Sequence, residues 1–123
     1  MKRDLDLMRE ILLKLEVNRD RLFPPYLPEH PDHVEVTYQV LLLHDAGYIE
    51  AELTPMQEPP GAIAVVTRIT NSGHDYLDSV RDAKVWEKTK TKLEKVGGGA
   101  TLEFVKEMAA KTMAELIKSS WGG

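Results

Sequence analysis

Residues 49–69 read IEAELTPMQEPPGAIAVVTRI. Ile49, Ala51 and Leu53 alternate with polar neighbours, Pro55–Gly61 supply turn chemistry, and Ile63, Val65, Thr67 and Ile69 alternate again. Period-two alternation on both sides of a proline and glycine turn predicts an antiparallel hairpin, here with a seven-residue tip. The hairpin bears on the segment before it. Val34, Val36, Tyr38 and Val40 alternate as a strand would, while Tyr38, Leu41, Leu42 and Ala46 fit a helix that Gly47 ends through a left-handed cap. Local pattern leaves both open, and the hairpin that follows decides for the helix.

Working outward, Leu5, Met8, Ile11, Leu12 and Leu15 fall at steps of three and four, predicting an amphipathic helix over 3–17 with Asp4 near its positive end. All seven prolines lie between Pro24 and Pro60, four of them in the eight residues from Pro24, so 18–33 reads as an extended or turn-rich connection. After the hairpin, Thr70 or Ser72 can cap a helix through Tyr76, Leu77 and Val80, with Asp75 completing a capping pattern from Ser72. Nothing breaks the helical reading until Gly97–Gly99, a flexible joint. A last amphipathic helix is predicted over 101–119, with Leu102, Val105, Ala109, Thr112 and Leu116 on one stripe.

Length and composition bound the function. A chain of 123 residues, 42% apolar and 29% charged, is one modal domain with a core of its own. No apolar run reaches the roughly 20 residues needed to span a bilayer, and the amino terminus is densely charged. The absence of cysteine removes disulfides, thiol catalysis and thiolate zinc sites, so a cytoplasmic location is expected. The expected fold is α+β, mainly α. A winged-helix-like domain over 1–96 has a two-stranded hairpin wing, and 97–123 forms a glycine joint plus a helix that packs on the domain or on a second protomer.

Three stretches carry a family resemblance: Met1-Lys2-Arg3-Asp4-Leu5-Asp6-Leu7-Met8-Arg9, Ala46-Gly47-Tyr48-Ile49, and Gly73-His74-Asp75-Tyr76-Leu77-Asp78 through Arg81-Asp82 to Val85-Trp86. With them the chain resembles an uncharacterised bacterial and phage family, domain-of-unknown-function family 2513, over nearly its whole length. The resemblance implies a winged-helix-like fold and frequent residence in prophages or mobile elements, and supplies no activity. Ala46–Ile49 and Ile69–Gly73 also resemble the corresponding ends of broader winged-helix regulators. The proline-rich stretch departs from them, because it lies where the second helix of a helix-turn-helix would sit.

The charge map bears on DNA binding. Residues 1–21 hold six basic and five acidic side chains, and 68–123 hold ten and eight. From Leu22 to Thr67 there is no Lys or Arg against seven acids: Glu29, Asp32, Glu35, Asp45, Glu50, Glu52 and Glu58. Phosphate affinity comes largely from Lys and Arg, so a presumed recognition helix and wing in this stretch repel a duplex. Base readout would rest on Gln39 and Thr37, or on His30, His33 and His44, with no arginine for guanine. Two readings follow. In the first, the protein is a non-enzymatic module acting through protein contacts, the seven acids facing a basic partner and the last helix supplying a homodimer interface through Leu102, Val105, Met108, Met113, Leu116 and Ile117. In the second, it is a DNA-binding regulator presenting Arg3, Arg9 and Lys14.

Other candidate sites are weaker. His30-Pro31-Asp32-His33 offers ligand types for a metal without a further ligand cluster, and an exposed loop is the simpler reading. His74 with Asp75 and Asp78 can serve acid–base chemistry, although a hydrogen bond from His74 to Asp78 along the helix explains them as well. Arg81, Asp78 and Asp82 read as a structural ion-pair cluster. Lys84, Lys88, Lys92 and Lys95, interleaved with Glu87 and Glu94, read as a solvated helix face. Gly97–Gly99 lacks the strand and the Lys-Ser or Lys-Thr of a phosphate loop. No catalytic residue, cofactor, metal or membrane partner is expected.

Overall fold

The computed structural model describes residues 2–97 and 100–121, the Trp121 side chain excepted. Its elements are α1 (Leu5–Val17), α2 (His33–Asp45), β1 (Ile49–Pro55), β2 (Ala62–Ile69), α3 (Asn71–Val80), α4 (Ala83–Val96) and α5 (Leu102–Trp121). Five helices and one antiparallel hairpin make the chain α+β and mainly α. It divides into two compact units, Met1–Asp75 and Tyr76–Gly123, so α4 and α5 fall in the same unit. Gly98 and Gly99 of the glycine joint lie outside the described residues.

In the first unit, the Asp4 carboxylate accepts the Leu7 N–H and starts α1 one turn before its apolar face. That face buries Leu7, Met8, Ile11, Leu12 and Leu15, with Leu7 in the place expected for Leu5. Asp32 caps α2 in the same way by accepting the Glu35 N–H. α2 is apolar on most of its circumference, as a helix covered on several sides must be. Val36, Val40 and Leu43 are its fully buried apolar residues, whereas Tyr38, Leu41 and Leu42, on which the sequence reading leaned, are half-buried. Gly47 follows α2 at φ 78°, in the left-handed region expected for it.

The hairpin forms where expected, with a tip of six residues rather than seven: the Met56 N–H donates to the Gly61 carbonyl, and Pro55 still pairs with Ala62. β1 keeps the expected phase at Ile49 and Ala51, whereas residues 63–67 of β2 have the opposite one. Ala64 and Val66 are fully buried while Thr67 is exposed, and Ile69 returns to the inside because the register slips between Glu50 and Ala51. That bulge puts Thr67 and Arg68 in sequence on the outside and flips the residues after them by one. The smaller Ala64 and Val66 are buried on a strand that α1 and α2 pack against.

The proline-rich connection is tied to β2. Leu22 exchanges backbone hydrogen bonds with Val66, and the buried Tyr26 hydroxyl donates to the Ala64 carbonyl and accepts the Ala64 N–H. Burial pushes the Tyr26 hydroxyl above its ordinary pKa, partly offset by the bond to Ala64, so it stays a donor. The edge of β2 away from β1 is thereby covered.

Thr70, rather than Ser72, caps α3: its hydroxyl accepts the Gly73 N–H and donates to the Gly47 carbonyl. The uninterrupted helix expected up to Gly97 breaks after Val80. Asp82 accepts the Lys84 and Val85 N–H groups and starts α4 anew. In the second unit α5 packs on α4, with Val105, Ala109 and Thr112 fully buried. Lys92 of α4 ties the two helices through the Thr112 hydroxyl at 3.1 Å and the Glu115 carboxylate at 2.7 Å, so it does not belong to a purely solvated face.

Gly73 owes its place to the crossing of α3 over Tyr48. A Cβ there would overlap the Tyr48 carbonyl oxygen and come within 2.7 Å of Ile69 Cγ2, whereas one at Gly47 would meet nothing. Gly73→Ala is therefore expected to lower stability by about 2–3 kcal/mol, as over-packing against backbone does. Gly47→Ala should lose only about 1 kcal/mol from its positive φ. Chemical denaturation of the two variants checks this, and an equal or reversed order would contradict the assigned crossing.

Candidate interaction surface

Two polar residues that α2 could offer to a ligand, Gln39 and Thr37, are turned inward. Gln39 is fully buried; its Oε1 accepts the Asp4 N–H at 2.9 Å, and its Nε2 donates to the Lys2 carbonyl and the Glu35 carboxylate, each at 2.8 Å. Both amide protons are used. The buried Thr37 hydroxyl donates to the His33 carbonyl one turn back. His30 Nδ1 accepts the Asp32 N–H, His33 Nε2 lies 3.5 Å from the Pro28 carbonyl, and His44 is half-buried. Among the described residues no group of three or more His, Asp or Glu side chains is placed to hold a metal ion.

The seven acids do not gather into one patch. Asp32 caps α2, Glu35 accepts from Gln39, and Glu50 pairs at 2.7 Å with Arg68 across the hairpin. Asp45 stands at the far end of α2, roughly 20 Å from Asp32 at 1.5 Å per residue. Glu29 is exposed on the loop before α2. Glu52 and Glu58 are exposed on the wing, where residues 52–59 form one continuous exposed run. That run also holds Leu53, 44% exposed, and Met56, 38% exposed, and it contains no Lys or Arg. The wing tip is thus acidic and partly apolar, with exposed side chains throughout.

The basic residues named for DNA contact are spread apart. Arg3 precedes α1, and Arg9 and Lys14, five residues apart on it, differ by about 140° around the axis. His74 Nε2 lies 3.8 Å from the Asp20 carboxylate rather than bonding Asp78, which pairs with Arg81 at 2.8 Å. Asp82 caps α4. Of the stripe on α5, Val105 is buried, Leu102, Met108, Met113 and Leu116 are half-buried, and Ile117 is 53% exposed.

Arg68 holds the Glu50 carboxyl below its ordinary pKa, first through the side-chain hydrogen bond and then through its charge. A lowered folded pKa stabilises the protein above the ordinary carboxylate range and loses that effect as pH falls through the folded value. Arg68→Ala should move the NMR titration of Glu50 upward toward the ordinary carboxylate value; an unchanged titration would mean that the pair does not persist in solution.

Similarity to known proteins agrees with the motifs. The profile of the family described as "Hypothetical protein (DUF2513)" matches residues 2–100. A protein of Haemophilus influenzae described as an uncharacterized protein is 33% identical over 122 residues, covering 95% of this chain and 99% of that protein. No solved structure matches. No helix among the described residues is long and apolar enough to cross a membrane. With Gly73-His74, the Asp4 cap and the Asp82 cap all inside the matched range, the chain belongs to the DUF2513 family.

Proposed function

We propose that this protein is a non-enzymatic, winged-helix-like module of phage or mobile-element type that acts in the cytoplasm through protein contacts, with the acidic wing tip as its contact surface. The observation that carries the reading is the commitment of Gln39 and Thr37 to internal hydrogen bonds. A helix in the recognition position whose central polar side chains are spent inside has little to offer base edges. The wing adds Glu52 and Glu58 where a duplex presents phosphates. The winged-helix likeness itself is supported by the order of α1, the Leu22 bridge, α2 and the hairpin.

Protein partners suit the wing better. Leu53 and Met56 supply apolar area, and the flanking carboxylates steer a basic partner and fix its orientation more than they set its affinity. The stripe on α5 is a separate candidate for a homodimer contact, with Ile117 its most exposed member. A dimer through this stripe is removed by a monomeric mass at high concentration.

The test is an NMR titration of the isotopically labelled protein with a Lys- and Arg-rich peptide containing leucine, and separately with duplex DNA at moderate salt. The peptide should shift the amides of residues 52–58 and lose about tenfold in affinity on Glu52→Lys with Glu58→Lys, a loss of about 1.4 kcal/mol. Saturable duplex binding that shifts α2, weakens steeply with salt and disappears in variants of Arg3, Arg9 and Lys14 would replace this reading with the regulator.

A further inference from the structure

The turn that ends α1 is closed by two consecutive left-handed residues, neither of them glycine. The Asn18 N–H donates to the Lys14 carbonyl, the Arg19 N–H to Glu16 and the Asp20 N–H to Leu15, so three of the last four carbonyls of α1 are satisfied by backbone. Arg19 and Asp20 achieve this at φ 57° and φ 69°. Both are left-handed positions where glycine is the economical choice, and each non-glycine residue there costs about 1–2 kcal/mol. Aspartate tolerates the conformation through its short polar side chain, and Asp20 also faces His74. Arginine has no such compensation.

This turn borders an open groove of about 530 Å3 within the first unit, lined among others by Lys14, Val17, Arg19, Arg21, Phe23 and Pro25. Among the described residues no acidic side chain lines it. Phe23 is 59% and Val17 77% exposed, large apolar surface left open beside three cations. Among the described residues Lys14, Arg19 and Arg21 form no ion pair, unlike Arg68, Arg81, Lys90 and Lys92. Because the Lys14, Leu15 and Glu16 carbonyls are already capped by backbone N–H groups, these three charges are not needed for that capping.

We propose that this groove binds a short acidic peptide segment of a partner protein, whose carboxylates meet Lys14, Arg19 and Arg21 and whose apolar side chain packs on Phe23 and Val17. Charge complementarity selects an anion, and the aliphatic Val17 beside Phe23 selects a ligand with an apolar side chain. A phosphate backbone would meet only three cations in the groove, and the salt dependence of so few contacts is shallow. The groove is distinct from the wing, so the inference goes beyond the reading above and gives the module two faces of opposite charge.

The experiment is fluorescence anisotropy on the full chain with three labelled probes: a peptide of Asp and Glu interspersed with Leu and Phe, its counterpart with Lys for every acid, and a single-stranded oligonucleotide of the same charge as the first. The acidic peptide should bind, and Arg19→Glu, Arg21→Glu and Phe23→Ser should each weaken it about tenfold. Arg19→Gly, which relieves the turn while removing the charge, should weaken binding yet raise thermal stability, separating a binding role from a structural one. Glu52→Lys with Glu58→Lys should leave this affinity unchanged. Equal binding of the acidic and basic peptides by the Glu52→Lys, Glu58→Lys variant, tighter binding of the oligonucleotide, or concentration-dependent self-association lost on Arg21→Glu would overturn the proposal.

Discussion

The side-chain amide of Gln39 holds together the parts that define this fold. It is buried in α2, and its three hydrogen bonds reach the Lys2 carbonyl, the Asp4 N–H and the Glu35 carboxylate. Asp4 is also the cap of α1, so one amide sets the start of α1 against the first half of α2. Leaving such buried groups without partners costs about 1–3 kcal/mol each, which makes the amide far more valuable inside than as a probe of solvent. The same accounting makes α2 a structural strut, with its central polar side chain spent inside.

A second constraint acts on the hairpin. Tyr26 satisfies both backbone groups of Ala64, and Leu22 pairs with Val66, so the proline-rich connection takes the place of a third strand. Prolines suit that task because the segment needs few backbone donors and gains from a restricted unfolded chain. With β2 covered on this side, the wing projects as two strands whose tip carries Glu52, Leu53, Met56 and Glu58 to solvent. Two of the seven acids, Glu52 and Glu58, thus stand at the tip, and the others lie at or before α2 or pair across the hairpin.

Much of this was legible in the sequence. The 3.6-residue period marked α1 and α5, the concentration of prolines marked the connection, and Pro55–Gly61 marked the turn of the hairpin. The inward phase of β2 was hidden because Ile63 and Val65 are larger than Ala64 and Val66, and only the bulge beside Thr67 reconciles the buried Ala64 with the buried Ile69. The break between α3 and α4 was written in Asp82, a good cap followed by Val85 and Trp86, but the aspartate sits in a continuous helical pattern that masks it. Tertiary partners such as Gln39 with Lys2, Lys92 with Glu115 and His74 with Asp20 leave no periodic trace, since each joins residues at least 20 positions apart. The groove at Arg19 was invisible for a related reason: its signal is a backbone angle that only the fold imposes.

Hydrogen exchange of the Gln39 side-chain amide, followed by NMR with and without excess duplex DNA, tests the assignment of α2 most directly. Both protons should exchange far more slowly than a solvated glutamine amide and keep their shifts when the duplex is added. Exchange at the free-amide rate, or contacts between that amide and base protons, would contradict it.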